Sequence, residues 1–264
     1  MKAFICVYRQ PAVGPNIRQR VEAAAMHQPL LQTFLSRYGQ PNCFYDWGDD
    51  PAFFSATEVF EDASYATWGV CRPNVRRQLI PGDLVIFFCG RQSLSTVGLW
   101  EYFYVGYGTV RETVERRIIW EDEEYHVYRS FFNLLVNYLD GVEAHYEPFG
   151  DPHADWQKRS KAPYVIFEPG QHLTTFNTIA PLKVAIYDSR QGPAETWLTD
   201  PLVKALRANL FFNGRFDRNL RTKSRYRPHN HIALHQYFRP RDVEPALLRL
   251  RGQLADLSVL VSQQ

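Results

Sequence analysis

CRPNVRRQLIPGDLVIFFCG, residues 71–90, changes character at its centre. Pro73 suits the first position of a helical turn, because its fixed φ is already helical, and the turn is expected over residues 74–78. Val75 and Leu79 fall on one side of it, while Arg72, Arg76 and Arg77 offer guanidinium groups to water or to an anion. Pro81-Gly82-Asp83 then reads as a turn, with Gly82 supplying a positive φ. Residues 84–89, LVIFFC, form an apolar run of strand length bounded by that turn, which predicts a buried strand.

The same alternation of turns and short apolar runs continues in both directions. KAFICVY (residues 2–8) reads as an opening strand. Asn16 can cap a helix over residues 17–38 that ends at Gly39, with Pro29 kinking or dividing it. Residues 53–68 fit no single pattern, SATEVF being the best short strand. LWEYFYVGYGTVR (residues 99–111) alternates, and its glycines predict a strand with a bend. Residues 128–139 read as helix, while YVIF (residues 164–167) and LKVAIY (residues 182–187) read as strands. Thr199 or Asp200 can cap a helix over residues 201–210. Asp242 and Pro245 start a last helix with leucines at helical spacing through Leu260. Many short strands with scattered helices predict an α+β fold. Its centre is expected to be a strongly curved sheet or small barrel with flanking helices and a C-terminal helix, in one domain over residues 1–264.

Composition bounds the chemistry. The 264 residues suffice for a substantial core, and 45% apolar with 22% charged residues is a globular balance. Aromatics reach 15%, with 18 Phe, 15 Tyr and 6 Trp, an excess that fits base binding but that a β-rich core also favours. Net charge is +2, so affinity for a polyanion must come from local patches. Cys6, Cys43, Cys71 and Cys89 show no CxxC spacing. With no signal-peptide pattern and no apolar run of membrane-spanning length, reduced thiols, a cytoplasmic location and no membrane partner are expected.

The assembled pieces resemble a known family. The opening strand with Gly14, Pro15 and Asn16, followed by Cys71, Arg72, Pro73, Val75, Arg76, Gly82 and Asp83, resembles the nucleotide modification associated domains of phages and bacteria. These stand within the wider PUA-like group, and YFYVGYGTV (residues 102–110) resembles the second barrel strand of that pattern. The likeness covers roughly the first half, and the long helix after Asn16 departs from it. It implies a PUA-like curved β-barrel or sheet and binding of RNA or of modified DNA bases. Arg72, Arg76 and Arg77 would then hold phosphate.

A flipped base needs flat apolar walls. Trp47, Trp68, Trp100, Tyr102, Trp120 and Trp156 lie near polar or turn residues, although core packing is the commoner explanation of any single ring. Trp68 precedes the basic turn, and Trp156 stands in HADWQKR with His153, Asp155, Lys158 and Arg159. The densest basic segment is RFDRNLRTKSRYRPHNH, residues 215–231. Its Arg215, Arg218, Arg221, Lys223, Arg225 and Arg227 against Asp217 leave a local charge of +5, suited to a phosphate backbone or to a solvated loop. His229, His231 and His235 lack an adjoining CxxC or acid, so no metal is assigned, and nothing in the sequence calls for a cofactor.

Two functions follow. One is a binding module for DNA or RNA that recognises a modified or flipped base, in DNA modification or restriction, with a modified nucleotide as a further ligand. The other is an enzyme on a nucleotide or DNA base, a transferase or glycosylase-like hydrolase. Asp83, His153 and Asp155 are the general acid or base candidates for it. A structural interaction protein whose aromatics face a partner is a third reading.

Overall fold

The computed structural model describes residues 1–9, 67–69, 72–93, 95–130, 136–137, 144–145, 161–169, 183–188, 192–206 and 231–262, with isolated positions between 23 and 36. Among the described residues ten strands alternate with helices: β1 (Ala3–Arg9), β2 (Thr67–Trp68), β3 (Leu84–Gln92), β4 (Leu99–Val114), β5 (Val136–Asn137), β6 (Ala144–His145), β7 (Tyr164–Phe167), β8 (Lys183–Asp188), β9 (Gly192–Thr196) and β10 (His231–Ala233). The helices are α1 (Pro73–Arg76), α2 (Arg116–Glu121), α3 (200–206) and α4 (Val243–Ser262). The class is α+β, with a mixed and largely antiparallel sheet that stays open among the described strands. No described helix is long and apolar enough to cross a membrane.

The chain divides into two compact units. The first comprises Met1–Val13, Asp83–Tyr107 and Ile179–Gln264, and the second Gly14–Gly82 and Gly108–Thr178. In the first unit β1 runs parallel to β3, Ala3 opposite Leu84 through Arg9 opposite Gly90, and antiparallel to β10, Cys6 opposite His231. The sheet continues from β3 to the first half of β4, then to β8 and β9. The buried run Leu84–Cys89 is explained by this position, since a strand paired on both edges and covered on both faces has no place for a polar side chain. α4 adds Leu247, Leu250 and Leu254 to the core, and the Tyr104 hydroxyl donates to the Leu254 carbonyl at 3.4 Å. Each such side chain contributes about 1.5–3 kcal/mol on burial.

In the second unit the latter half of β4 pairs with β7, and β7 with β2. The bend expected in β4 is present: Gly106 has φ 151°, and the register shifts between Val110 and Glu112. Gly108 is required by close packing, because a Cβ there would lie 2.4 Å from Cδ1 of the buried Phe167 ring.

Most expected elements are found, with one correction. Of the helix expected over residues 128–139, residues 128–130 belong to a 3-10 helix, Glu123–Ser130, and residues 136–137 form β5, which pairs with β6; the others lie outside the described residues. Pairing with a later segment overrides the local helical pattern. Ala23, Pro29, Gln32 and Ser36 are helical, with Met26 and His27 in a turn between them, so the helix divides just before Pro29. SATEVF lies outside the described residues. α3 starts after Thr199, whose carbonyl accepts from the Val203 amide at 3.0 Å.

Candidate nucleic-acid interface

The Arg-rich turn builds from its entry. Arg72 adopts φ 50°, ψ 48°, the left-handed region that side chains other than glycine rarely occupy. Its carbonyl accepts from the amides of both Val75, at 2.9 Å, and Arg76, at 3.1 Å, while Pro73 has no N–H. The Val75 and Arg76 amides at this helix start are therefore engaged within the turn. Val75 and Leu79 face inward as their spacing predicts, and Arg77 is exposed.

Arg76 differs from expectation. It is fully buried, and its guanidinium donates to the carbonyls of Ala162, at 3.0 Å, and Pro163, at 2.5 Å. Arg116, from the start of α2, donates to the same Ala162 carbonyl at 2.5 Å and to the Gly69 carbonyl, with its guanidinium 5.9 Å from the Tyr164 ring centre. The Tyr164 hydroxyl donates to Thr67 Oγ1 at 2.8 Å. Two planar cations thus tie the end of β2, α1, α2 and the turn before β7 through main-chain oxygens. A guanidinium suits this task because its five donors can satisfy several carbonyls at once. Arg76 serves as an internal clamp instead of a surface phosphate ligand. Trp68, expected as a wall for a base, is also fully buried, paired with Val165 across β2 and β7. Of the motif's arginines, Arg72 is partly exposed and Arg77 is exposed.

Asp83 has a structural task as well. Its buried carboxylate accepts from the Lys2 amide at 2.7 Å, and the Leu84 amide donates to the Lys2 carbonyl, which sets the register of β1 against β3. A carboxylate buried and engaged in this way is ill placed to exchange protons with a substrate. Gly82 has φ 86°, as the turn requires. Trp100 and Trp120 are partly exposed and Tyr102 is buried. Asn16, Trp47, His153, Asp155, Trp156, Lys158, Arg159, Arg215, Arg218, Arg221, Lys223, Arg225, Arg227 and His229 lie outside the described residues. His231 stands in β10, and His235 Nδ1 lies 3.0 Å from the Ala3 carbonyl oxygen. Among the described residues no three His, Cys, Asp or Glu side chains come together as a metal site would need.

One ring escaped the sequence reading. Trp197, directly after β9, is 62% exposed, and its amide donates to the Val184 carbonyl at 3.2 Å, which fixes the backbone beneath it. Its setting in TWLTDP, between a strand end and a helix cap, was the available signal. A solvent-facing indole on an anchored backbone can stack on a base.

A charged cluster lies where β4 ends. Glu112 accepts from Arg111, at 2.5 and 3.0 Å, and from the Tyr125 hydroxyl at 2.8 Å, while Arg111 also donates to the Tyr128 hydroxyl at 3.1 Å. The hydrogen bond to Glu112, aided by burial, pushes the Tyr125 phenol up to about 12. Tyr107 is raised to about 12 by burial, with Arg251 opposing and Asp256 adding. Comparison with protein-family models, curated proteins and solved structures finds no match to this chain.

Proposed function

We propose that the chain is a PUA-like nucleic-acid-binding module that recognises a modified or flipped base, in the setting of phage or bacterial DNA modification or restriction. The observation that carries the reading is the exposed indole of Trp197, in a chain whose sequence also carries the +5 segment at residues 215–231. Trp197 supplies a flat apolar face that stacks on any base, and the basic segment supplies charge for the backbone. Arg72 and Arg77 offer further cations. The resemblance at residues 71–83 and the bent β4 support the PUA-like part of the reading.

Titration with single-stranded and base-modified oligonucleotides tests it. Binding should quench Trp197 fluorescence and weaken steeply with salt, since each neutralised phosphate releases counterions. A flat salt response, or no binding at low salt, defeats the reading. Oligonucleotide mass should be unchanged after incubation; a changed mass would make the protein an enzyme.

A further inference from the structure

Trp197 leaves the sheet beside a carboxylate. Glu195 stands opposite Ile186 of β8 and Thr196 opposite Ala185. The Trp197 amide donates to the Val184 carbonyl at 3.2 Å, which carries this pairing one residue past β9. Side chains of a strand alternate between two faces, so Glu195 and Trp197 share one face, their Cα atoms about 7 Å apart. The far end is held as well, because the Leu198 amide donates to Thr196 Oγ1 at 3.2 Å.

The neighbours on that face set its charge. Ile186 also stands opposite Glu101 of β4, which places Glu101, Ile186 and Glu195 in one row. Glu101 is only 15% exposed and accepts from Lys183 Nζ at 2.7 Å, so its charge is balanced. Glu195 and Trp197 are both exposed, and neither side chain has a hydrogen-bond, ion-pair or ring partner among the described residues. Residues 192–200 hold two acids, Glu195 and Asp200, and no Lys or Arg. This stretch therefore repels a phosphate, while it offers a nucleobase a flat surface with a hydrogen-bond acceptor next to it.

We propose that Glu195 sets the specificity of the Trp197 stack, favouring bases that carry an exocyclic amino group over thymine and uracil; this rests on the nucleic-acid reading. The amine of cytosine, adenine or guanine donates an N–H to the carboxylate. Thymine and uracil carry a carbonyl oxygen where cytosine has its amine, and two acceptors repel each other. Contacts with the phosphate backbone are left to basic residues elsewhere in the chain.

Single-stranded oligo(dC) and oligo(dT) of equal length are the probes, because they match in phosphate number and ring size. A third oligomer, of cytosine doubly methylated on its amino nitrogen, lacks the N–H donors. Calorimetry on the full chain at neutral pH and one salt concentration should find oligo(dC) bound about fivefold tighter than oligo(dT), the low end for a base contact because this one is exposed. The methylated oligomer should fall to the level of oligo(dT). Glu195→Gln, at an exposed position, has an amide that both donates and accepts, and should bring the two Kd values together. Trp197→Ala should weaken binding of both. Equal affinity of the unaltered protein for oligo(dC) and oligo(dT), or a preference that survives Glu195→Gln, overturns the proposal and leaves the nucleic-acid reading standing. No binding of any oligomer at low salt ends that reading, and this proposal with it.

Discussion

Trp68 and Trp197 carry the same indole into opposite surroundings, one fully buried and one 62% exposed. Trp68 belongs to an assembly in which Arg76 and Arg116 spend their donors on main-chain carbonyls. Trp197 stands on a loop whose backbone is fixed while its ring meets water. Both regions contain aromatics near polar and turn residues, the composition that suggests base recognition. Burial separates them: a ring and a cation committed to their own fold hold that fold, and a ring left in water is available to a ligand. The arginine motif that resembles a phosphate site is thus a structural joint, and the ring proposed for recognition lies in the other unit.

The sharpest way to break this contrast is Arg76→Ala. It strips the charged donor from two carbonyls and should cost about 3 kcal/mol or more, measured by denaturant unfolding. Arg77→Ala, at an exposed position, should stay within about 0.5 kcal/mol. An Arg76→Ala protein of normal stability that lost oligonucleotide binding would reverse the assignment. Gly108→Ala should cost about 2 kcal/mol, because the Phe167 ring it meets is buried and has little room to turn away. Trp197→Ala should leave the unfolding midpoint nearly unchanged while lowering oligonucleotide affinity about tenfold; equal affinity would remove the stacking surface.

The smallest expected effect is alkaline. Tyr107 and Tyr125 keep their protons to about 12 in the folded protein, whereas a phenol in the unfolded chain loses its own near roughly 10. The folded state holds more protons between those values, so stability falls as pH rises from 10 to 12. Tyr125→Phe should soften that decline, read from unfolding midpoints against pH. The Tyr125 share is modest because the group is partly exposed.

What the sequence could reveal tracks how local each cause is. β1, β3 and β7 were legible because a short apolar run bounded by turn residues has few alternatives. The turn at Gly82 was legible because a positive φ favours glycine. Residues 136–137 misled because β5 acquires its conformation from a partner strand that periodicity does not register. Arg76 misled for the same reason on a longer scale. Its partners at Ala162 and Pro163 lie 86 and 87 residues along the chain, and nothing near Arg76 announces them. Trp197 was missed because one indole in a polar stretch looks like any other ring until its exposure is known.

The pairing of β1 with both β3 and β10 has a consequence for the order in which the protein can be made. During synthesis β1 leaves the ribosome before β3 and β10, and the strand that covers one of its edges is not translated until residues 231–233. For most of elongation that edge, with the apolar side chains of FICV beside it, has no native partner and is open to strands of other nascent chains. Pausing late in the message should therefore lower the yield of native protein more than pausing just after residue 92. Chaperones that shield the emerging amino-terminal strand should restore that yield.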